Sequence, residues 1–235
     1  MPILPPSLPG QMPIEITLRR SARARRFSLR VSRLDGRVTL SIPTRAREAD
    51  ALAFARAQEA WLRRALIAVP PEDLPAFGGS LPVEGVARRL LPGTGRAPKL
   101  EAEALLVPGD PAQLGRRLAA FLKTLARDRL AAASDHYATL LGRPYTSLSL
   151  RDTRSRWGSC THDGRLMYSW RLIMAPPQVL DYVCAHEVAH LAQMNHSPAF
   201  WAEVARLMPD YEVPRRWLKA KGQALHAIRF DSASN

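Results

Sequence analysis

The stretch His186-Glu187-Val188-Ala189-His190-Leu191-Ala192-Gln193-Met194-Asn195-His196 constrains this chain more than any other. On a helix, His186 and His190 lie one turn apart on the same face, close enough to share one metal ion. Glu187 sits about a quarter-turn further round, where its carboxylate can reach a water held by that ion. His196 follows six residues after His190, far enough for the chain to leave the helix and bring back a third imidazole. Three neutral imidazoles leave a fourth tetrahedral position open, which separates a catalytic zinc site from a closed structural one. The expectation is one Zn2+ per chain, held by His186, His190 and His196, with Glu187 as the catalytic residue.

The flanking residues agree with a helix, a corner and a second helix. Ala175-Pro176-Pro177 ends an apolar strand-like run and places proline where a helix can begin. Val179, Leu180, Val183, Leu191 and Met194 recur at helical spacing, so the metal helix has an apolar side to bury. Asn195 is read as a left-handed cap that turns the chain toward His196. Ser197-Pro198 then supplies the cap and first residue of the next helix, carrying Phe200, Trp201, Val204 and Leu207. An acid on that later stretch, Glu203 or Asp210, is the competing third ligand. His196 is preferred because its corner position needs no long-range assumption.

Composition narrows the class of protein. The first ten residues are broken by prolines and contain no apolar run fit for a signal peptide. No stretch approaches the roughly 20 apolar residues of a membrane span, so no membrane partner is expected. Cys160 and Cys184 form no CxxC pair, which points to reduced thiols and a cytoplasmic location. Both are read as packing or loop thiols rather than ligands. Formal charge is +13, from 34 Lys+Arg against 21 Asp+Glu. Arg19, Arg20, Arg23, Arg25, Arg26, Arg30, Arg33 and Arg37 crowd one segment, a patch that attracts polyanions such as nucleic acid.

The organisation expected is α+β: an N-terminal basic β-rich module with one helix at residues 1–110 and a metal-binding half at residues 111–235. Alternation at Phe27–Val31 and Val38–Ile42 predicts a hairpin turning at Asp35-Gly36. Residues 45–69 read as a helix and 70–79 as a linker. Strands are expected near 81–91 and 99–107, a long helix over 113–141, and strands at 145–151 and 166–173. Asp110 is a candidate cap for the long helix.

Several motifs in this order resemble the YgjP-like family of zincin metallohydrolases. They are Arg154-Ser155-Arg156-Trp157-Gly158-Ser159-Cys160, Trp170-Arg171-Leu172-Ile173-Met174-Ala175-Pro176-Pro177, Asp181-Tyr182-Val183, His186 to His190, and Met194-Asn195-His196-Ser197-Pro198-Ala199-Phe200-Trp201. Pro209-Asp210-Tyr211 and Arg215-Arg216-Trp217-Leu218 extend the likeness. It implies a zincin-like metallopeptidase core at residues 111–235, with a zinc ion held by His186, His190 and His196 and a catalytic Glu187, in a protein of the kind described as M48-type or SprT-like metallopeptidases. Nucleotide pyrophosphatase activity has also been attached to the family. Two departures from neighbouring zincins stand out: Gln193 occupies the place of the glycine that metzincins use to turn the chain, and no convincing Met-turn follows.

Three functions remain open at this level. The first is a zinc peptidase with Glu187 as general base, an extended peptide lying along Leu166–Trp170 as an edge strand. The second is a zinc phosphohydrolase acting on nucleoside triphosphates, and the third a nucleic-acid-binding protein with a structural metal. For substrate contact the candidates are Arg154 and Arg156, two apart and therefore on one side of a strand, and Tyr168. The same arginines could instead hold Asp181 or Glu212 and serve the fold.

Overall fold

The computed structural model describes residues 3–4, 12–32, 36–68 and 74–230. The chain divides into two compact units, Met1–Glu72 and Asp73–Asn235.

In the first unit, strands β1 (Ile3–Leu4), β2 (Ile14–Ser21), β3 (Ser28–Val31) and β4 (Val38–Pro43) form a sheet of order β1-β2-β4-β3. Strands β3 and β4 make the expected antiparallel pair, whereas β2 and β4 run parallel. Gly36 turns with φ of +65°; its expected companion Asp35 lies outside the described residues. The helical segment is two helices, α1 (Glu48–Ala57) and α2 (Glu59–Ile67), because the N–H of Gln58 closes a tighter turn on Ala55. Alternation along β2 and β4 buries Ile14, Ile16, Val38, Leu40 and Ile42 against Ala51, Ala55 and Leu62.

The second unit begins well before residue 110. Strands β5 (Ser80–Val83), β6 (Val86–Gly93), β7 (Lys99–Leu100) and β8 (Ala104–Pro108) form a sheet of order β5-β6-β8-β7. What the sequence showed as one strand over 81–91 is a hairpin. Its two-residue turn, Glu84-Gly85, has positive φ at both positions, the geometry that matches strand twist. Leu81, Val83, Leu90, Leu105 and Val107 join the same core as the helices that follow. A boundary at 110 would cut through that core, so the boundary at 72 replaces the one expected from composition.

Asp110 does act as a cap, accepting from Ala112 N at 2.8 Å ahead of a short 3-10 turn at Pro111–Gln113. Helix α3 (Leu114–Leu141) follows, with Leu118, Leu122, Ala126 and Leu130 in an i, i+4 stripe on the core. It ends at Gly142, left-handed with φ of +74°. Strands β9 (Ser147–Arg151), β10 (Gly158–Cys160) and β11 (Arg165–Ser169) form a sheet of order β10-β11-β9. Helices α4 (Pro177–Ala189), α5 (Pro198–Leu207) and α6 (Glu212–Ala227) complete the unit.

Two expectations change here. Strand β11 is the central strand of its sheet, paired antiparallel with β10 and parallel with β9, so it is no edge for a peptide. The strand also stops at Ser169, because residues 170–174 coil into a 3-10 turn that buries Trp170, Arg171, Leu172, Ile173 and Met174. Arg171 holds the unit's C-terminal end. Its guanidinium pairs with Asp152 at 2.6 Å and donates to the carbonyls of Leu225 and Ile228 at 2.8 and 2.7 Å.

Candidate metal centre

Helix α4 begins at the prolines and buries Val179, Leu180, Val183, Cys184 and Val188, which fixes the face that carries His186 and His190. Regular helix ends at Ala189, with His190 as its cap residue. The chain then turns through hydrogen bonds from Leu191, Ala192 and Gln193 back to Val188 and Ala189. No residue of this corner has positive φ, so Gln193 serves where metzincins use a glycine. Asn195 is not the left-handed cap expected of it. Its side-chain oxygen instead accepts from Ser197 N at 3.2 Å, and Ser197 in turn caps α5 through Phe200 N at 3.4 Å. Local polar contacts thus pin both sides of His196.

One ring nitrogen from each of His186, His190 and His196 falls in a cluster whose members all lie within 4.8 Å of one another. The Nε2 atoms of His186 and His196 stand 3.1 Å apart, close to the roughly 3.3 Å between neighbouring ligands of a tetrahedral ion with bonds of about 2.0 Å. His190 Nδ1 lies 2.9 Å from the Gln193 carbonyl. A carbonyl only accepts, so Nδ1 carries the proton and Nε2 keeps its lone pair for the cluster. His186 Nδ1 is buried with no hydrogen-bond partner among the described residues. Burial pushes the His186 imidazole down to about 3, and it also lowers His190. Both are therefore neutral, the form that binds a metal. Three converging imidazoles fit one divalent ion.

Phe200 wedges among these rings, stacked on His190 at 4.4 Å and edge-on to His186 and His196 at 4.9 and 4.8 Å. It limits the rotamers of all three. Neither Glu203 nor Asp210 joins the cluster. Glu203 is spent on Arg206 at 2.8 Å. His136, on α3, and His162, in the turn after β10, also stay outside it.

Glu187 is 6% exposed and sits against β10. A Cβ built on Gly158 would come within 2.6 Å of the Glu187 side chain, so only glycine leaves room for that carboxylate. Burial pushes the Glu187 carboxyl up to about 8, opposed by the charge of Arg156 and by the N–H of Cys160, which donates to it. The Cys160 thiol is itself raised to about 11 by burial, and it lies outside the imidazole cluster.

The edge of the sheet faces this carboxylate. Thr161 N bonds Arg165 O, and Ser169 N bonds Trp157 O. The antiparallel alternation then turns the backbone N–H and C=O of Gly158 and Cys160 away from β11.

The substrate candidates divide. Tyr168 is 0% exposed and hydrogen-bonded to Ser134 at 3.1 Å, deep in the core, where a substrate does not reach it. Its register on β11 turns it toward α3 instead of the cluster. Arg154 and Arg156 lie in the loop between β9 and β10, where strand alternation does not apply. The charge of Arg156 is felt by Glu187, and that of Arg154 by His226 on α6. Trp157 stacks on His226 at 4.4 Å and holds this loop to α6.

Sequence reading missed Arg215, Tyr182 and Tyr211. Arg215 lies over Trp201 at 4.3 Å, and its charge reaches His186 and Tyr182. Trp201 and Tyr182 each stack on Tyr211. Their signal in the sequence was their place in the family-like motifs at 181–183, 209–211 and 215–218.

A helix-borne histidine pair, a third histidine from the next corner and a buried carboxylate at a strand edge define a metal-dependent hydrolase. The chain belongs to the YgjP-like family, metallopeptidase domain, whose family model matches residues 25–221. Among solved structures, the metallopeptidase zymogen of Pyrococcus abyssi abylysin aligns with 39% of this chain and 93% of its own, at 19% identity and a TM-score of 0.36. No curated protein gives a significant match. Among the described residues, no helix is long and apolar enough to cross a membrane.

Proposed function

We propose that the chain is a zinc peptidase in which His186, His190 and His196 hold the ion and Glu187 is the general base. The observation that carries this reading is the seat of Glu187, on the helix that bears two of the clustered imidazoles and against β10, which among the described residues pairs with a strand on one side only. An extended peptide pairing with the other side through Gly158 would bring its own carbonyls past the carboxylate. When bound, zinc supplies positive charge that polarises a carbonyl and brings the pKa of a water to about 7. Glu187 takes the proton of the attacking water on its carboxylate and passes it to the leaving nitrogen. The N–H of Cys160 and the flat surface at Gly158 keep the carboxylate in one orientation while it does so.

A second reading, hydrolysis of nucleoside triphosphates, is favoured by the two guanidinium groups near the site. Arg156 is near Glu187 and Arg215 near His186, and arginine pairs well with phosphate. The deciding experiment incubates zinc-loaded protein with an unfolded protein and, separately, with each nucleoside triphosphate. Products are read by mass spectrometry, with Glu187→Gln as the blank. The peptidase reading expects cut peptides that vanish in the blank. Glu187-dependent release of monophosphate and pyrophosphate, with no cut peptide, overturns it.

Gly158→Ala tests the strand edge itself. The new methyl must displace either Glu187 or β10, and misplacing a catalytic group by about 1 Å can cost a hundredfold in rate. The expected result is a loss of that order in kcat with metal content unchanged. A kcat equal to that of wild type would show that the seat on β10 is not needed.

A further inference from the structure

Alternation in the first unit leaves one sheet face without the helices. The face opposite α1 and α2 carries Glu15, Thr17 and Arg19 from β2, Thr39 and Ser41 from β4, and Ser28 and Arg30 from β3. Register aligns these residues in two rows, Arg19–Ser41–Ser28 and Thr17–Thr39–Arg30. Each row has hydroxyl groups beside a guanidinium at one end, and the two arginines stand at opposite ends. They are separated by about 10 Å across the sheet and about 7 Å along it. Both are exposed, as are Arg23, Arg25 and Arg26 in the segment linking β2 to β3.

Arg20 does not belong to this group, since its guanidinium donates to the carbonyls of Thr44 and Ala46 at 2.9 Å. Among the described residues of the sheet, Glu15 is the sole acid. Met1–Glu72 contains thirteen arginines and six acidic residues, so about half of the formal +13 resides there.

We infer that this face binds the sugar-phosphate backbone of nucleic acid without regard to sequence. Arginine guanidinium and serine or threonine hydroxyl groups are the donors that phosphate oxygens take, and such contacts carry no sequence information. The chemistry also says what is not read. Stacking on bases needs an exposed ring, but Phe27 packs on Phe54 at 5.7 Å, and the exposed Trp61 belongs to α2 behind the sheet. Single strands and duplexes should therefore both bind, through charge. This inference is independent of the peptidase reading and does not involve the metal.

The test uses the full chain and fluorescein-labelled DNA, single-stranded and duplex, with affinity read by anisotropy over a range of salt. Wild type should bind both, with affinity falling steeply as salt rises. The double variant Arg19→Glu, Arg30→Glu should weaken binding more than about tenfold. It should also flatten the plot of log affinity against log salt by about 0.7 to 0.9 for each phosphate that is no longer neutralised. A control with the same change of charge, Arg56→Glu, Arg64→Glu, alters exposed positions in the helices behind the sheet and should stay within about threefold of wild type. Thermal melts check that each variant folds. If the first double variant does not fold, Arg19→Gln, Arg30→Gln should still flatten the salt slope. Equal losses in the two charge-reversed variants would reduce the effect to net charge and overturn the inference. So would an unchanged affinity in the face variant, or tighter binding to phosphatidylserine vesicles than to DNA.

Discussion

Glu187→Gln is expected to lower kcat/KM by about a hundred- to ten-thousand-fold while the protein keeps its metal and its fold. The amide matches the carboxylate in shape, so it still fits the flat surface at Gly158, and the N–H of Cys160 can still donate to its oxygen. It cannot accept a proton at the working pH, which removes the general-base contribution. The buried carboxylate is disfavoured as an anion by desolvation, so the neutral amide should leave the melting temperature level or higher. That combination separates a proton carrier from a structural residue. Turnover equal to wild type would remove Glu187 from catalysis, and parallel loss of metal and fold would make it structural.

His196→Ala is expected to abolish stable metal retention. Losing an outer partner of a metal ligand typically costs about 10- to 100-fold in affinity, and losing one of three ligands should cost more. His196 is exposed, so its removal should do little to packing, and circular dichroism should show a folded protein. Elemental analysis after dialysis against a mild chelator should find about one zinc per chain in wild type and little in the variant. Glu203→Ala is the companion control. Its carboxylate pairs with Arg206 outside the cluster, so metal content should match wild type. The reverse pattern would show that Glu203 belongs to the ligand set and His196 does not.

Most of the imidazole arrangement was legible in the sequence because it is local. Four residues of helix bring His186 and His190 together, and Ser197-Pro198 restarts a helix after the corner, as the cap at Phe200 N shows. The details of the turn were less legible. Asn195 offered both a left-handed backbone and a side-chain acceptor, and the chain uses the acceptor. Gln193 marked a missing glycine, yet its carbonyl is what orients His190. The N-terminal pattern told which residues share a face. It did not tell that residues 80–108 close on the C-terminal core, because an apolar face looks the same whichever element covers it.

The sequence by itself determined the spacing of the histidines, the helices that carry them, the basic excess near the N-terminus and the family the chain belongs to. Each of these is written within a turn or two of helix, or in composition. The tertiary structure alone decided what surrounds the carboxylate. Strand β10 is only three residues long and lies 27 residues before Glu187, so no periodicity announces it as the edge at the site. Tyr168 and Arg156, which sequence placed together, part company for the same reason. Strand order buries one at Ser134, while a loop held by Trp157 and His226 brings the other toward Glu187. Pairing between distant segments fixes which edge stays open and which side chains face it, and that information is carried by the packed core as a whole.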